Sequence, residues 1–307
     1  MIIYKYLDEI GAIEAIKNNS VLLNAPTKFN DPFDSLYYVD DEELNQAFEL
    51  FMNYELFKKM YNELVVQNTE PNIRGVLLKE CLKEDVIQIK KKHIYKSKPY
   101  LSKGYEDGLK LLNTSDKEIK NRFKAMVETV FVAFRSSTLV SCFGSSNDSL
   151  LMWSHYANKH RGACIKFLVE DNDFKQVLYS KDFPKFELVK ALEIIFGHAL
   201  SGKSIDTENP NHLFMLKPIF VKSNVWEYEG EIRCIYSKNQ LNSRIYKSRI
   251  EKEEKYFLKM PRIKAVYFGC CASKEFIDEI ISIAKNIPVF KMEMSEGEYT
   301  LTPREIR

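Results

Sequence analysis

The stretch TLVSCFGSSNDSLLMWSHYANKHRGACIKFL, residues 138–168, indicates the fold class. Its first seven residues predict a strand, and SLLMWSHYA predicts a short helix because Leu150, Trp153 and Ala157 fall near one helical face. GACIKFL, which begins at Gly162, predicts the next strand. This succession of strand, helix and strand is typical of a protein that mixes helices with sheets.

The same mixture continues on both sides of this stretch. Towards the N-terminus, IIYKYL and VLLNAP predict strands on either side of a helix that carries Ile10, Ile13 and Ile16 at helical spacing. Towards the C-terminus, VWEYEGEIRCIY contains a predicted strand at residues 231–236, and a helix at 273–285 follows the strand KAVYFG. We predict an α+β fold with a mixed or antiparallel central sheet.

A long segment, residues 41–135, has a different pattern. Charged stretches with apolar residues at three- and four-residue steps predict amphipathic helices at 42–66, 72–95 and 116–134, and strand signals are weak there. We therefore predict one α+β domain over residues 1–307 with a helical insertion at about 41–135. The insertion holds no compact set of catalytic residue types, so we expect the chemistry to lie elsewhere.

Composition narrows the class of protein. Apolar residues make up 45% of the chain and aromatic residues 13%, which indicates a globular protein. The net charge of +2 neither favours nor excludes a nucleic-acid partner. Neither a secretory signal nor an apolar membrane span is recognisable. Most of the six cysteines lie in apolar stretches, as reduced thiols of a cytoplasmic protein do.

Several common sites are disfavoured by spacing. Two histidines and two cysteines, His155, His160, Cys142 and Cys164, are of the right types for zinc, but no C-x-x-C pair is present. The two histidines also lie about 140° apart on a helix. No nucleophile signature surrounds either cysteine, and neither phosphate-binding glycine motif occurs. We predict no metal site.

Polar side chains collect in three other segments: residues 4–6, residues 153–156, and Glu229-x-Glu231-x-Arg233. Strand alternation would place Glu229, Glu231 and Arg233 on one face if the strand extends back to Glu229. Two interpretations remain open. The face could be a buried site, or it could be exposed to solvent with a Glu–Arg pair that contributes about 0–1 kcal/mol.

The order of the motifs resembles the bacterial domain-of-unknown-function 2971 family. The resemblance rests on KFNDPFD, LVSCFGSSNDSLLMWSHYANKHRGACIKF, VWEYEGEIRCIY and IKAVYFG, and its most specific part is M-W-S-H-Y-A-x-x-H-x-G. It spans nearly the whole chain and is least distinctive in residues 41–135. The family name carries no established reaction.

More distantly, the chain resembles enzymes that transfer ADP-ribose from NAD. Those enzymes have a polar residue on the first strand, an aromatic or Ser-Thr-Ser segment in the middle, and a late Glu, often in E-x-E. The matching positions are Tyr4 or Lys5, then Tyr156 with Ser141, then Glu229-x-Glu231. The first strand lacks the Arg or His of those enzymes. The resemblance implies an ADP-ribosyltransferase-like sheet and NAD as a substrate.

The resemblance also implies roles. Breaking the nicotinamide–ribose bond builds an oxocarbenium-like centre, which Glu231 would stabilise. Glu229 would orient or deprotonate the acceptor, Tyr156 or Trp153 would stack on nicotinamide, and Lys5 would meet the pyrophosphate. The residues predicted to be catalytic are Glu231, Glu229, Tyr156 and His155, and those predicted to bind NAD are Tyr4, Lys5, Ser141 and Arg233.

We therefore expect an ADP-ribosyltransferase-like enzyme that modifies a nucleic acid or a protein. The Lys/Asn/Ile-rich, low-glycine composition suggests a bacterial toxin or anti-phage effector, with a neutralising partner protein. One alternative is a metal-dependent nuclease or other hydrolase that uses Asp31, Asp34, Glu229 and Glu231. Another is a non-catalytic interaction module in which the Trp-His-Tyr cluster is core.

Two local arrangements are predicted. Asn30, Asp31 and Asp34 should form a turn at the edge of the site, because Asn and Asp bond their own backbone and Pro32 fixes the bend.

On the predicted helix, Trp153 and His155 lie about 200° apart, so Trp153 should be core and His155 should face away from it. Tyr156 lies between them, and we expect it to line one cavity together with Glu231.

Overall fold

The structure is a computed structural model, and it describes residues 1–51, 116–170, 173–192, 210–238, 241–250 and 253–307. The chain divides into two compact units. Unit 1 comprises Met1–Leu36, Ala133–Phe183 and Pro218–Arg307, and unit 2 comprises Tyr37–Val132 and Pro184–Lys217.

Helices and strands alternate along the described residues. The α-helices are α1 (Glu9–Asn18), α2 (Asp41–Phe51), α3 (Asp116–Ser137), α4 (Leu150–Tyr156) and α5 (Lys274–Ile283), and 3₁₀ helices cover Pro26–Lys28, Pro210–Phe220 and Asn224–Glu229. The strands are β1 (Ile2–Leu7), β2 (Ser20–Leu23), β3 (Thr138–Phe143), β4 (Ala163–Leu168), β5 (Phe174–Gln176), β6 (Leu178–Ser180), β7 (Val221–Ser223), β8 (Ile232–Ser237), β9 (Ile245–Ile250), β10 (Glu253–Lys259), β11 (Ile263–Phe268), β12 (Val289–Met294) and β13 (Leu301–Glu305). None of the described helices is long and apolar enough to cross a lipid bilayer.

Unit 1 is built on sheets of different kinds. A five-stranded sheet has the order β1-β4-β11-β12-β13, with β11 and β12 parallel and its other pairs antiparallel. Two antiparallel sheets have the orders β3-β8-β5 and β2-β10-β9, and β6 pairs with β7 in parallel. The predicted α+β class with a mixed sheet is confirmed.

The turn between α4 and β4 depends on a glycine. The backbone of residues 158–160 is left-handed, with φ between 45° and 65°, which costs about 1–2 kcal/mol for each non-glycine residue. Hydrogen bonds from the amides of His160 and Gly162 to the carbonyls of Trp153 and Ala157 offset part of this cost. A Cβ atom at Gly162 would lie 2.0 Å from the Leu7 carbonyl oxygen, so only glycine lets the turn pass β1.

Trp153 belongs to the core of unit 1, as predicted. Its side chain is 0% exposed, and its indole N–H donates a hydrogen bond to the Asn147 carbonyl (2.7 Å). The ring packs edge-on against Tyr6 at a centroid distance of 5.2 Å. His155 is exposed, which confirms that the two side chains leave the helix in opposite directions.

Unit 2 has a core of its own. Its described members come from α2, from α3, and from residues 186–192, namely Leu44, Ala47, Phe123, Val127, Phe186, Leu188, Ala191 and Leu192. Most of the predicted insertion, residues 52–115, lies outside the described residues. The prediction also left out the segment 184–217, which belongs to unit 2 although the sequence placed it in the main domain.

Trp153→Ala should lower the free energy of unfolding by about 3–5 kcal/mol, because it removes a fully buried indole and leaves a cavity. The matched control, His155→Ala on the same helix, should stay within about 0.5 kcal/mol of the parent chain. Denaturant unfolding of both variants measures the difference. Equal stabilities would contradict the assignment of opposite faces.

Candidate functional site

A cavity of about 160 Å³ lies within unit 1, where β1 meets β3. The Tyr4 amide donates to the Gly144 carbonyl (3.0 Å) and the Gly144 amide donates to the Tyr4 carbonyl (2.7 Å), which joins the two strands. The lining includes Tyr4, Lys5, Tyr6, Asn24, Asn30, Asp34, Ser141, Cys142, Tyr156, Lys222, Glu229 and Glu231. Six of the eight predicted site residues are therefore in this lining.

A network of five buried charged side chains adjoins the cavity: Asp34, Lys222, Glu229 and Glu231 line it, and Arg233 lies behind them. Arg233 is 0% exposed and donates from Nε to Glu231 Oε1 (2.6 Å). Its Nη1 and Nη2 bind the two oxygens of Asp34 at 2.9 and 2.6 Å. We call this set the buried charge network.

Lys222 completes the network on the cavity side. Its Nζ donates to Glu229 Oε2 (2.5 Å) and to Glu231 Oε2 (3.2 Å), and it lies 3.9 Å from Asp34 Oδ2. The same ammonium group lies 4.7 Å from the ring centroid of Trp226. Each carboxylate of the network is thus paired with a cation, the condition under which buried charges are tolerated.

A glycine turn brings the two glutamates together. Glu229 ends the 3₁₀ helix Asn224–Glu229, and Gly230 follows with φ of +50°. Glycine adopts this left-handed backbone without strain, and a Cβ atom at Gly230 would also meet Ser145 Oγ at 2.2 Å, so the turn favours glycine. The strand does not extend back to Glu229, so the condition for a shared strand face is not met, and the solvent-exposed interpretation is wrong for all three residues of the motif, because all three side chains are buried.

The two glutamates have pKa values shifted in opposite directions. Burial raises the pKa of Glu231, but the charges and hydrogen bonds of Arg233 and Lys222 outweigh burial and lower it from 4.5 to about 2. For Glu229, burial outweighs the single cation Lys222, and its pKa is raised. The cations therefore hold Glu231 in its ionised form, and Glu229 is the more readily protonated of the two.

Tyr156 connects Glu229 with the cavity. Its hydroxyl donates a hydrogen bond to Glu229 Oε1 (2.7 Å), and burial together with the nearby carboxylate raises the pKa of the phenol. The phenol therefore stays protonated and acts as a donor to Glu229. The expected placement of Tyr156 and Glu231 in one lining is confirmed.

Lys5 lies on the opposite wall of the cavity. Its Nζ donates to the Cys142 carbonyl (2.7 Å) and to Ser141 Oγ (3.1 Å), which uses two of its three N–H donors. Burial lowers the pKa of this ammonium group. A charged donor held in this way can meet an anionic group of a ligand.

Two predicted site residues are not part of the described lining. Arg233 lies behind the cavity, where it holds Glu231 and Asp34. His155 is exposed, with its ring 6.3 Å from the rings of both Tyr156 and Tyr228.

The rings of Tyr156, His155, Tyr228 and Trp226 form a series with centroid spacings of 6.0–6.3 Å. We call this series the aromatic strip. It begins at Tyr156, a lining residue, and therefore starts beside the cavity.

Sequence reasoning missed Lys222 and the role of Asp34. Asp31 does form the predicted turn, because its Oδ1 accepts a hydrogen bond from the Phe33 amide (2.9 Å). Asp34 is more than a turn residue, since its carboxylate binds Arg233 across 199 sequence positions. The signal for Lys222 was a single charge within the apolar stretch PIFVKSNVW, seven residues before Glu229.

The carboxylates of the network face cations of the chain and not a common centre. Over the described ranges, no group of three or more His, Cys, Asp or Glu residues has the geometry to hold a metal ion. Asp34, Glu229 and Glu231 bind Lys222 and Arg233, and Asp31 is turned into its own loop. This arrangement does not favour the metal-dependent hydrolase.

Residues 152–234 match the family described as Protein of unknown function (DUF2971). The predicted resemblance to this family is confirmed over that segment. No curated protein and no solved structure matches the chain. The matched segment contains Tyr156, Lys222, Glu229, Glu231 and Arg233, which is most of the candidate site.

Lys222→Met should lower the free energy of unfolding by about 3–5 kcal/mol, because it leaves buried carboxylates without their shared cation. Lys259→Met, at an exposed lysine of β10, should stay within about 0.5 kcal/mol. Denaturant unfolding measures both. If the two variants are equally stable, the network does not anchor the fold.

Stability should also depend on pH through Glu231. Because its pKa falls from 4.5 to about 2 on folding, its contribution is present above pH 4.5 and is lost as the pH falls towards 2. Between these pH values, the denaturant midpoint should fall less steeply with decreasing pH in Glu231→Gln than in the parent chain. Glu298→Gln, at an exposed position, should leave this pH dependence unchanged. The same pH dependence in Glu231→Gln as in the parent chain would contradict the assignment.

Proposed function

Because its DUF2971 segment places Tyr156, Glu229 and Glu231 around one cavity, we propose that this chain is an ADP-ribosyltransferase-like enzyme. It uses NAD as a substrate and modifies a macromolecule, a nucleic acid or a protein. The observation that carries the proposal is the pair of glutamates with oppositely shifted pKa values at a cavity of ring size.

The size of the cavity suits one planar ring. A protein cavity of about 150 Å³ accepts a benzene molecule, so one of about 160 Å³ accepts a nicotinamide ring but not a whole dinucleotide. The rest of NAD would lie outside the cavity. The aromatic strip, which starts at Tyr156, offers planar surfaces for it.

The chemistry follows from the two carboxylates. Glu229 accepts the proton of the acceptor nucleophile, which attacks the ribose carbon while the bond electrons leave with nicotinamide. Glu231 stays ionised throughout and stabilises the positive charge that develops on the ribose. Both oxygens of Glu231 accept hydrogen bonds from Arg233 or Lys222, so it acts through its fixed charge, whereas Glu229, whose oxygens accept from Tyr156 and Lys222, has the raised pKa that suits a general base.

The remaining predicted residues take supporting roles in this proposal. Lys5, held by Ser141 and the Cys142 carbonyl, lines the cavity that takes the ring, so in this proposal it offers its positive charge inside the cavity and not to the pyrophosphate outside it. Tyr4 lines the same wall. Arg233 holds Glu231 and Asp34 in place instead of touching NAD, and His155 contributes to the aromatic strip.

The proposal extends to the fold and the biological role. The Glu-x-Glu motif immediately precedes β8, which pairs with β3, and the cavity lies between β3 and β1. The proposal of an ADP-ribosyltransferase-like sheet is supported by the meeting of the three motifs, represented by Tyr4, Tyr156 and Glu231, in one lining. A toxin or antiviral-defence role with a neutralising partner protein accords with the low-glycine, Lys/Asn/Ile-rich composition.

Glu229→Gln should keep the fold and lower NAD turnover by about 100-fold or more, because the shape survives and the general base does not. Nicotinamide release and transfer of label from NAD to a cell extract measure turnover. The matched control is Asp31→Ala, which should lower thermal stability by removing a turn contact and keep turnover within a few-fold.

Binding gives a separate readout. NAD at about 100 times its dissociation constant should stabilise the chain by about 2.7 kcal/mol, and Mg²⁺ should not. If the wild type shows neither stabilisation by NAD nor release of nicotinamide, the enzyme proposal is wrong and an interaction module is favoured instead. Stabilisation by Mg²⁺, with nucleic-acid cleavage that Asp34→Asn abolishes, would favour the metal-dependent hydrolase instead.

A further inference from the structure

The sheet β2-β10-β9 has one face in the core and one face that is partly exposed. The first face packs into the main hydrophobic core of unit 1 through its buried side chains, which are Val21, Leu23, Ile245 and Leu258. Because side chains alternate along a strand, the residues between them point the other way. Leu22, Tyr246 and Phe257 lie on this second face, and each is half-buried. We call the surface that holds these three residues the open face.

The open face begins beside the cavity of the candidate site. Leu22 lines that cavity, and the strand register places Phe257 opposite Leu22 and Tyr246 opposite Phe257. Neighbouring strands lie about 4.8 Å apart, so this row extends about 10 Å from the cavity lining. The two rings are stacked, with centroids 5.3 Å apart and planes within 15° of each other. The row therefore presents two planar side chains next to the cavity.

Lysines gather beside this row. A second cavity, of about 70 Å³, shares Leu22 with the first, and its lining includes Lys28, Lys238 and Lys255. Lys255 lies two positions before Phe257 on β10 and therefore on the open face. Ammonium groups in these positions can meet the phosphates of a ligand whose planar groups lie on the rings.

The acidic side chains of β10 are already paired with lysines. Glu253 Oε2 binds the ammonium group of Lys28 (3.0 Å), and Glu254 Oε1 binds that of Lys247 (3.1 Å). The other two lysines of the second cavity therefore add positive charge that these two glutamates do not balance. A local excess of positive charge favours a polyanionic partner, although the whole chain carries only +2.

Planar rings beside positive charge favour a single nucleic-acid strand among the polyanions. Each base of a single strand has a face that can stack on an aromatic side chain, while the phosphates pair with the lysines. A common RNA-binding module stacks two or three bases on the aromatic residues of an open sheet in this way. A duplex keeps its base faces stacked inside the helix, so it would use the charge of the surface and not its rings.

We infer that the open face binds single-stranded nucleic acid and leads it to the cavity. A strand stacked on Tyr246 and Phe257 passes Leu22 and places its next nucleotide at the cavity lining. The inference rests on the proposed function for one point, that the bound strand is the acceptor of ADP-ribose. An oxygen or nitrogen of that nucleotide then forms the bond to the ribose carbon, nicotinamide leaves with the electrons of the broken bond, and the proton of the nucleophile goes to Glu229. Binding of the strand itself needs neither NAD nor turnover.

Fluorescence anisotropy of labelled oligonucleotides tests the binding in the absence of NAD. Single strands of DNA and RNA of about 12 nucleotides should bind the full-length chain, and the duplex of the same sequence should bind more weakly. Tyr246→Leu and Phe257→Leu should each weaken binding about 10-fold, because stacking is lost while an apolar side chain remains. Tyr246→Phe keeps the ring and should bind like the parent chain. The matched control is Tyr299→Leu, at a ring that is 97% exposed and outside this sheet, and it should also bind like the parent chain.

The lysines have a readout of their own. For single strands, the logarithm of the binding constant falls with the logarithm of the salt concentration with a slope of about −0.7 per phosphate contact, so Lys255→Gln should reduce the slope by about 0.7. Lys274→Gln, at an exposed lysine of α5, should leave the slope unchanged. Melting temperatures of all variants separate a loss of binding from a loss of fold.

Three results would overturn the inference: no binding of either single strand, equal affinity for the duplex, or binding that survives the loss of both rings. If no strand binds while labelled NAD marks proteins of a cell extract, the acceptor is a protein, and the proposed function stands without this inference. If single strands bind with the expected dependence on rings and salt but no nicotinamide is released in their presence, the binding surface stands and the proposed enzyme does not.

Discussion

The guanidinium of Arg233 holds together parts of the chain that are far apart in sequence. It binds both oxygens of Asp34 and both of Glu231, and it also donates to the Ile219 carbonyl (2.6 Å). A buried guanidinium without these partners would be strongly unfavourable, so the loop at Asp34 and the start of β8 have to meet for unit 1 to close. The cavity exists at that meeting point.

The network also explains how one motif can hold two carboxylates of different character. Glu231 faces Arg233 and Lys222, whereas Glu229 faces Lys222 alone and a neutral phenol. The number of cations around each side chain therefore sets the direction of its pKa shift. Because the side chains are buried, the local dielectric constant is low, charges interact more strongly, and both pKa shifts are larger than they would be in water.

Sequence reasoning was accurate where the information was local. The opposite faces of Trp153 and His155 follow from helical geometry, and the Asp31 turn follows from Asn-Asp-Pro. The place of Lys222 in the site could not be predicted, because a single lysine in an apolar stretch belongs to no repeating pattern that would indicate its contacts.

The pairing of Asp34 with Arg233 has no local signal at all, since spacing carries no information about contacts across 199 positions. For the same reason the sequence did not indicate that residues 186–192 share a core with residues of α2 and α3. A shared face for Glu229 and Glu231 required the strand to extend back past Gly230, where the backbone is left-handed and the strand does not extend.

The Asp34–Arg233 contact also has a consequence for synthesis on the ribosome. At about 5–20 residues per second, roughly 10–40 seconds pass between the emergence of the two partners. During that interval β1 lacks its partner until β4 is made, and β2 lacks its partner throughout, because β10 is encoded after residue 233. The nascent chain therefore carries unpaired strand edges for most of its synthesis, and chaperones that shield such edges are expected to bind it before residue 233 appears.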